Sequence, residues 1–386
     1  MPARHKYHLP NPRRGSGGGF FLRVFVLLII AVGVWVWWQS RHPSAPVLQP
    51  KPAAPATNRV VSSKPVFVPP QTNLIAPPKT SPPPVKVVSP QPQPQPPPGV
   101  FPRPVRDVFE AQLALARHAI SPGSLDGVIG SQTRAAILAF QRKSGLAETL
   151  ELDADTRARL LLTAPTLTAY TVTSNDLARL QPLSNTWLGK SQQTALDYET
   201  ILELVAEKGR ASPNLIRRLN PAIDWTNVVA GTEVQIPDVT YPEPRERAGF
   251  AVISLGEKRL DAFDANTNLL AHFPCSIAAQ VEKRPAGELR VSTIAPNPNY
   301  TFNPEVFPES AEARQLNRKL VLPPGPNNPV GTAWISLDKP GYGMHGTPSP
   351  EQVGRTESHG CFRLANWNAE YLLKLVWVGM PVYVEP

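Results

Sequence analysis

The order of apolar and polar residues changes character several times along this chain. Residues 1–19 are polar and basic, and an apolar run follows from Phe20 to Trp38, broken by Arg23 near its inner end. About 20 apolar residues span a bilayer, and one terminal arginine can snorkel to the headgroups. Arg4, Lys6, Arg13 and Arg14 on one side and Trp35, Trp37 and Trp38 on the other predict a transmembrane helix with its N-terminus in the cytoplasm. A cleaved signal peptide is the alternative, but no A-x-A site follows Trp38. Either way, everything after Gln39 is expected to be exported.

Residues 39–104 carry no periodicity. From Val105 a period near 3.6 sets in. Phe109, Leu113 and Ala116 mark one helix, and Ala136, Ile137, Phe140 and Gln141 a second that ends at Gly145 with Ser131 as its expected cap. A third is expected over Thr156 to Leu162. Ala164 to Leu196 reads as connector with one short helix, Asn175 to Leu180. Two further helices follow, Ile201 to Glu207 and Ser212 to Leu219, the latter with Ser212 as cap and Pro213 in its first turn. A strand, "TEVQIP", comes after Gly231. From Ala251 the period shifts toward 2. "FAVISLGEKRLDAFDANTNLLAHFPCSI" reads as a β-meander, with more strands at Leu289–Ile294, Thr332–Leu337, Tyr342–His345 and Pro381–Val384. One helix, Trp367 to Val376, is expected between an Asn366 cap and Gly379.

The pattern therefore predicts a multidomain chain. Its parts are a basic cytoplasmic tail 1–19, a transmembrane anchor 20–38, a linker 39–104, a small all-α domain 105–163, a connector plus small α+β module 164–240, and a mainly-β C-terminal domain 248–386. The last is expected to be a mainly antiparallel β-sandwich or open barrel.

Composition explains the silent stretch. Of 47 prolines in 386 residues, 21 fall between Arg41 and Pro104, and such Pro-rich segments favour extended polyproline II over a packed core. The formal net charge of +9 favours anionic surroundings such as nucleic acid, phospholipid or acidic wall polymer. With no helix-turn-helix, RNA-binding signature or basic helix, nucleic acid is not an expected partner.

The two cysteines, Cys275 and Cys361, carry the candidate chemistry. Cys361 lies in "ESHGCFRLAN", with His359 two residues before it and His345 sixteen before. Four readings compete: a disulfide with Cys275, since exported compartments oxidise thiols; a zinc site built on two His and one Cys, for which no fourth ligand is evident; an inert buried cysteine; and a nucleophile. A thiol needs a nearby imidazole to react near neutral pH, and His345 at a strand end can supply it. Gly360 leaves room beside the thiol, and backbone N–H groups there can face a developing oxyanion. If "CFR" is extended, Cys361 and Arg363 share a face. These residues favour acyl transfer by a Cys–His pair, with no cofactor and no metal.

Three stretches resemble known families. Asp126, Gly127, Gly130, Thr133, Ala136, Phe140, Gln141, Gly145 and Leu146 resemble the peptidoglycan-binding three-helix repeat, which implies that fold and wall binding. The helix–loop–helix followed by "LN" and "VVAGTEVQIP" resembles a LysM module, which implies glycan binding, although "ALDYETI" stands where that family has its first strand. "LPPGPNNPVGTAWISLDKPGYGMHGTPSPEQVGRTESHGCFRLANWNAEYLLKLVWVGMPVYV" resembles the L,D-transpeptidase catalytic domain. That resemblance implies Cys361 as nucleophile, His345 as base, the Gly346 carbonyl as orienter of the imidazole, and Ser358, His359 and Gly360 as the surroundings of thiol and oxyanion. Arg363, Tyr342 and Met344 are expected to bind substrate. Residues Asn297–Gln315 are expected to form an insert, a candidate lid. The implied reaction is 3→3 cross-linking of peptidoglycan stem peptides through a thioester, on an inner-membrane-anchored protein whose catalytic domain is periplasmic. An L,D-carboxypeptidase, a protein-to-wall attaching or detaching enzyme, and a non-catalytic wall tether are the alternatives.

Overall fold

The structure is a computed structural model and describes residues 100–307, 310–356, 358 and 360–386. The basic tail, the expected transmembrane helix and the linker up to residue 99 lie outside the described residues. Among those described, no helix is long and apolar enough to cross a membrane.

The first helical domain forms largely where the 3.6 period places it. Helix α1 (Val108–Arg117) is capped by Asp107, whose carboxylate accepts from the Glu110 N–H. Helix α2 (Ser131–Ser144) ends at Gly145 in the left-handed conformation, φ 66°, where glycine is favoured. Ser131 is not the cap: Gly130 holds that position without a side-chain bond, and Ser131 is the first helical residue. Helix α3 is shifted to Ala154–Arg159, because Asp153 caps it by accepting from Thr156 N–H. The residues after it, β2 (Leu161–Leu162), instead pair with β1 (Arg103–Pro104). The domain thus begins inside the stretch expected to be linker.

The next unit holds more than the expected connector with one short helix. Strand β3 (Leu167–Thr171) pairs antiparallel with β4 (Glu233–Pro237). Between them come α4 (Ser174–Ala178), α5 (Trp187–Gln192), α6 (Ile201–Lys208) and α7 (Pro213–Leu219). So a first strand does exist, about thirty residues upstream of where "ALDYETI" stands, and α4–α5 form an insertion behind it. Thr173, Thr186, Thr200 and Ser212 cap these four helices.

Helical domain and α+β unit are not separate globules. Leu113, Ile137 and Leu162 from the first share one hydrophobic core with Ile201, Leu204 and Val234 from the second. The seam is stitched by backbone bonds, Leu125 N–H to Arg210 O (2.9 Å) and Ser212 N–H to Leu125 O (2.9 Å).

The C-terminal domain is one eight-stranded mixed sheet in the order β13–β12–β11–β8–β14–β5–β6–β7. Its strands are β5 (Phe250–Ser254), β6 (Arg259–Phe263), β7 (Leu269–Pro274), β8 (Gly287–Pro296), β11 (Ala333–Leu337), β12 (Gly343–His345), β13 (Phe362–Arg363) and β14 (Pro381–Glu385). Most pairs are antiparallel, but β14–β5 and β12–β13 are parallel. Just beyond β7, Ser276 bridges to Arg363 of β13, so the two ends of the sheet meet and the layer nearly closes on itself. This is the open-barrel arrangement rather than a sandwich. Helix α9 (Asn366–Leu375) packs its Trp367, Ala369 and Leu372 into the core. Its cap is Ala365, not Asn366, whose side chain is engaged elsewhere.

The edge strand β7 is covered by the helical domain: His272 N–H donates to Ala119 O (3.0 Å) and Ser121 N–H to His272 O (2.8 Å). An edge so paired offers no ladder to other chains. The segment expected as an insert becomes a hairpin, β9 (Tyr300–Phe302) with β10 (Leu320–Leu322), carrying α8 (Ala311–Gln315). It packs on the upstream unit, with the Trp187 ring stacked on Phe302 at 4.3 Å.

Candidate active site

Two short parallel strands build the site. In β12 and β13, Met344 is paired with Phe362 and His345 with Arg363. Paired residues point to the same face and neighbours alternate. Met344 and Phe362, 0% and 1% exposed, therefore face the core. His345 and Arg363 take the opposite face, and the alternation carried one residue back adds Cys361 to it. Met344, expected to bind substrate, is thus corrected: it is a core residue on the wrong face of its strand.

Gly343 is required beneath this arrangement. A Cβ there would lie 2.7 Å from the Trp334 ring. That ring instead stacks on His345, centroids 5.5 Å apart and 28° between planes. The His345 Nδ1–H donates to Gly346 O at 2.6 Å, which fixes the tautomer and leaves Nε2 for proton exchange. Burial lowers the imidazole to about 4; the Gly346 bond opposes this, while the nearby Arg363 charge adds to it.

Cys361 is partly exposed and a free thiol. Its Sγ lies 3.4 Å from Gly341 O. Burial pushes the thiol up to about 11, against the pull of the Gly343 N–H and of Arg363. Burial thus favours the neutral form of both the thiol and the imidazole, and a neutral imidazole can take a thiol proton at the moment of attack.

Ser358 shapes the turn into the thiol. Its hydroxyl donates to Cys361 O (2.6 Å) and accepts from Gly360 N–H (3.3 Å). Its backbone is pinned to the opposite sheet edge, Ser358 N–H to Ile277 O (2.7 Å) and Ala279 N–H to Ser358 O (2.9 Å). His359, between them, lies outside the described residues. Gly360 faces the Tyr342 ring, to which an added Cβ would come within 3.9 Å. Arg363 reaches Thr356 Oγ1 at 3.4 Å, while its backbone pairs with Ser276.

The disulfide reading can now be addressed; His359, the second imidazole of the zinc reading, lies outside the described residues. Cys275 is also a free thiol, wholly buried in the core, where burial pushes its thiol far up; no disulfide joins it to Cys361. Among the described residues, no group of three or more His, Cys, Asp or Glu is placed to hold a metal ion.

With this geometry, residues 248–384 match the family model described as L,D-transpeptidase catalytic domain. The C-terminal domain is an L,D-transpeptidase catalytic domain. Residues 105–160 match the model described as putative peptidoglycan binding domain. A putative L,D-transpeptidase YkuD of Bacillus subtilis is 27% identical over 184 residues, 48% of this chain and 93% of its own length. The corresponding Bacillus licheniformis protein is 26% identical over 187 residues, again 48% and 93%. A probable L,D-transpeptidase ErfK/SrfK of Escherichia coli is 28% identical over 209 residues, 53% of this chain and 66% of its own length.

Three residues around this L,D-transpeptidase site carried no sequence signal as site residues. Trp334 stacks on the His345 imidazole. Tyr300, from the β9–β10 hairpin, is raised to about 12, first by burial and then by the Cys361 thiol group when ionised. Asn366, read only as a helix cap, holds the backbone around Gly346. The "GYGMHGT" and "SHGCFR" motifs point at their own residues and are silent about these, which come from two other strands and a helix.

Proposed function

We propose that this protein is a peptidoglycan L,D-transpeptidase that forms 3→3 cross-links through a thioester on Cys361. The observation that carries the reading is the pairing of β12 with β13, which sets His345 opposite Arg363, two residues after the free thiol of Cys361, with Nδ1 of His345 committed to Gly346 O. The match of residues 248–384 to the transpeptidase family supports it.

The Cys361 thiol attacks the carbonyl of diaminopimelate at position three of a tetrapeptide stem as Nε2 of His345 takes its proton. Backbone N–H groups near Gly360 and Cys361 receive the oxyanion. The bond to the terminal D-Ala nitrogen breaks, His345 returns the proton to that amine, and D-Ala leaves. The amine of a second stem then attacks the thioester and gives a proton to His345. The C–S bond breaks and the thiolate is reprotonated. Arg363 and Tyr342 flank the thiol and orient the stem. The helical domain, by its family match, holds the enzyme on the wall. The β3–α6–α7–β4 unit acts as a LysM-like glycan contact, and residues 20–38 anchor the chain in the inner membrane with its catalytic domain in the periplasm.

The test incubates the protein with disaccharide-tetrapeptide and reads masses beside Cys361→Ala. A dimer lacking one D-Ala, absent with the variant, is the expected product. Tripeptide alone would make the enzyme a carboxypeptidase, and no thiol-dependent product would end the reading.

A further inference from the structure

Asn366 and Glu207 lie on different units of the molecule and meet in a buried bond. Asn366 is 0% exposed, and all four of its side-chain hydrogen-bonding positions are used. Its Oδ1 accepts from Thr347 N–H (2.9 Å) and Thr332 N–H (3.3 Å). Its Nδ2 donates to Pro326 O (3.1 Å) and to Glu207 Oε1 (2.9 Å). Two glycines make room for it: a Cβ on Gly346 would fall 2.3 Å from Oδ1, and one on Gly331 2.0 Å. The peptide that Asn366 grips, Gly346–Thr347, is the one whose carbonyl holds His345 Nδ1 at 2.6 Å. Glu207 comes from α6 of the α+β unit, so one amide joins that unit to the loop that sets the catalytic imidazole.

We propose that Glu207 and Asn366 are positioning residues for the transpeptidase reaction, a two-residue tie through which the upstream α+β unit fixes the orientation of His345. The proposal rests on the reading of His345 as the base of Cys361. Neither residue touches the reacting atoms. Glu207 acts only as a hydrogen-bond acceptor. Burial, aided by Glu370 and Glu203 and opposed by the Asn366 bond and Arg179, raises its carboxyl to about 8, so it is largely uncharged near neutral pH. Glutamine, which keeps an oxygen at the same place, should therefore serve as well. Without an acceptor at 207, a buried N–H of Asn366 is left unmade, which favours rotation of the amide and loss of its grip on Thr347. A shift of a catalytic group by a fraction of an ångström lowers turnover more than binding.

The experiment uses the full chain as wild type, Glu207→Ala and Glu207→Gln. Three quantities are read: kcat and KM for D-Ala release from disaccharide-tetrapeptide, the NMR resonance of the His345 Nδ1 proton, and the melting temperature. Glu207→Ala is expected to lower kcat about tenfold with KM within about twofold, and to shift or broaden the Nδ1–H signal. Glu207→Gln is expected to match wild type in both. The proposal is overturned if Glu207→Ala keeps wild-type kcat and an unshifted Nδ1–H signal. It is equally overturned if Glu207→Gln is as impaired as alanine, because charge rather than the bond would then be at work. If the alanine variant does not fold, Glu207→Asp, which withdraws the acceptor but keeps the carboxylate, is read by the same criteria. A wild type that turns over no stem peptide, while its Nδ1–H signal still responds to alanine and not glutamine, would leave the tie intact and remove the transpeptidase reading.

Discussion

At the scale of single residues, the neutral Cys361–His345 pair makes a definite statement about pH. His345, lowered to about 4, is unprotonated above that value, and Cys361, raised to about 11, keeps its proton below it. Acylation by a stem peptide should hold a plateau between these limits and fall as pH drops through about 4, a profile read from kcat/KM. A standing thiolate–imidazolium pair would instead alkylate with iodoacetamide at an undiminished rate at pH 5, whereas here the alkylation rate should climb steadily toward pH 11. His345→Ala should lower acylation by about 10²- to 10⁴-fold, the range of a lost general base. The same burial bears on stability. The His345 and His272 imidazoles, the latter lowered to about 3 by burial, bind protons more readily unfolded than folded. Stability from their neutral burial is fully present above the unfolded value near 6.5 and is lost as pH falls toward 4. Thermal melts at pH 7 and pH 4.5 should differ accordingly, and an unchanged melting temperature would contradict the buried neutral state. The candidate nucleophile and base were legible in the residues, because a thiol and an imidazole in two short motifs are chemically unusual, whereas the orienting Gly346 carbonyl came only from the family resemblance. Met344 misled because motif proximity says nothing of strand face, and face is set by pairing with Phe362.

At the scale of elements, the hairpin β9–β10 packs its Phe302 on Trp187 and Leu196. Glu312 on α8 completes the contact, accepting from the N–H groups of Trp187 (2.9 Å) and Leu188 (3.0 Å) at the start of α5. Trp187→Ala should therefore loosen the hairpin: amide exchange across residues 300–322 should speed up, by roughly tenfold if the ring contributes about 1.4 kcal/mol, while the central strand β8 stays protected. Gly331→Ala is expected to be severe, since φ is 62° and an added Cβ would meet Asn366 Oδ1 and the Gly346 carbonyl carbon. Helix and strand positions followed the apolar period closely, and the errors fell at ends. Ser131 and Asn366 were read as caps because serine and asparagine usually cap. Here a glycine and an alanine hold those positions, and Asn366 is committed to tertiary partners. Strand β3 was missed because its half-exposed "LTAYT" has no long apolar alternation; its pairing with β4 makes it a strand.

At the scale of the whole molecule, the described residues form one interlocked body rather than modules strung on a thread. The helical domain and α+β unit share a core, the α1–α2 loop covers edge strand β7, and Asn368 Nδ2 on α9 donates to Ser121 Oγ at 3.1 Å. A fragment limited to residues 105–163 loses the partners of Leu113, Ile137 and Leu162 in the α+β unit. It should unfold at much lower urea than residues 101–240 together, as read by circular dichroism; equal midpoints would show the helical domain to be self-sufficient. Family resemblance suggested three independent parts because motifs are local, and shared cores leave no local mark.

The sequence alone determined where apolar periods change, which residues are chemically capable, and to which families the catalytic and helical domains belong. These rest on local spacing and residue chemistry, which survive in one dimension. Only the tertiary structure decided which face each strand residue takes, that Cys275 is a buried free thiol, and that the hairpin packs on the α+β unit while Glu207 reaches Asn366. Those outcomes depend on pairings between residues distant along the chain, from Met344 with Phe362 to Glu207 with Asn366, and no spacing rule along the chain encodes such a pairing.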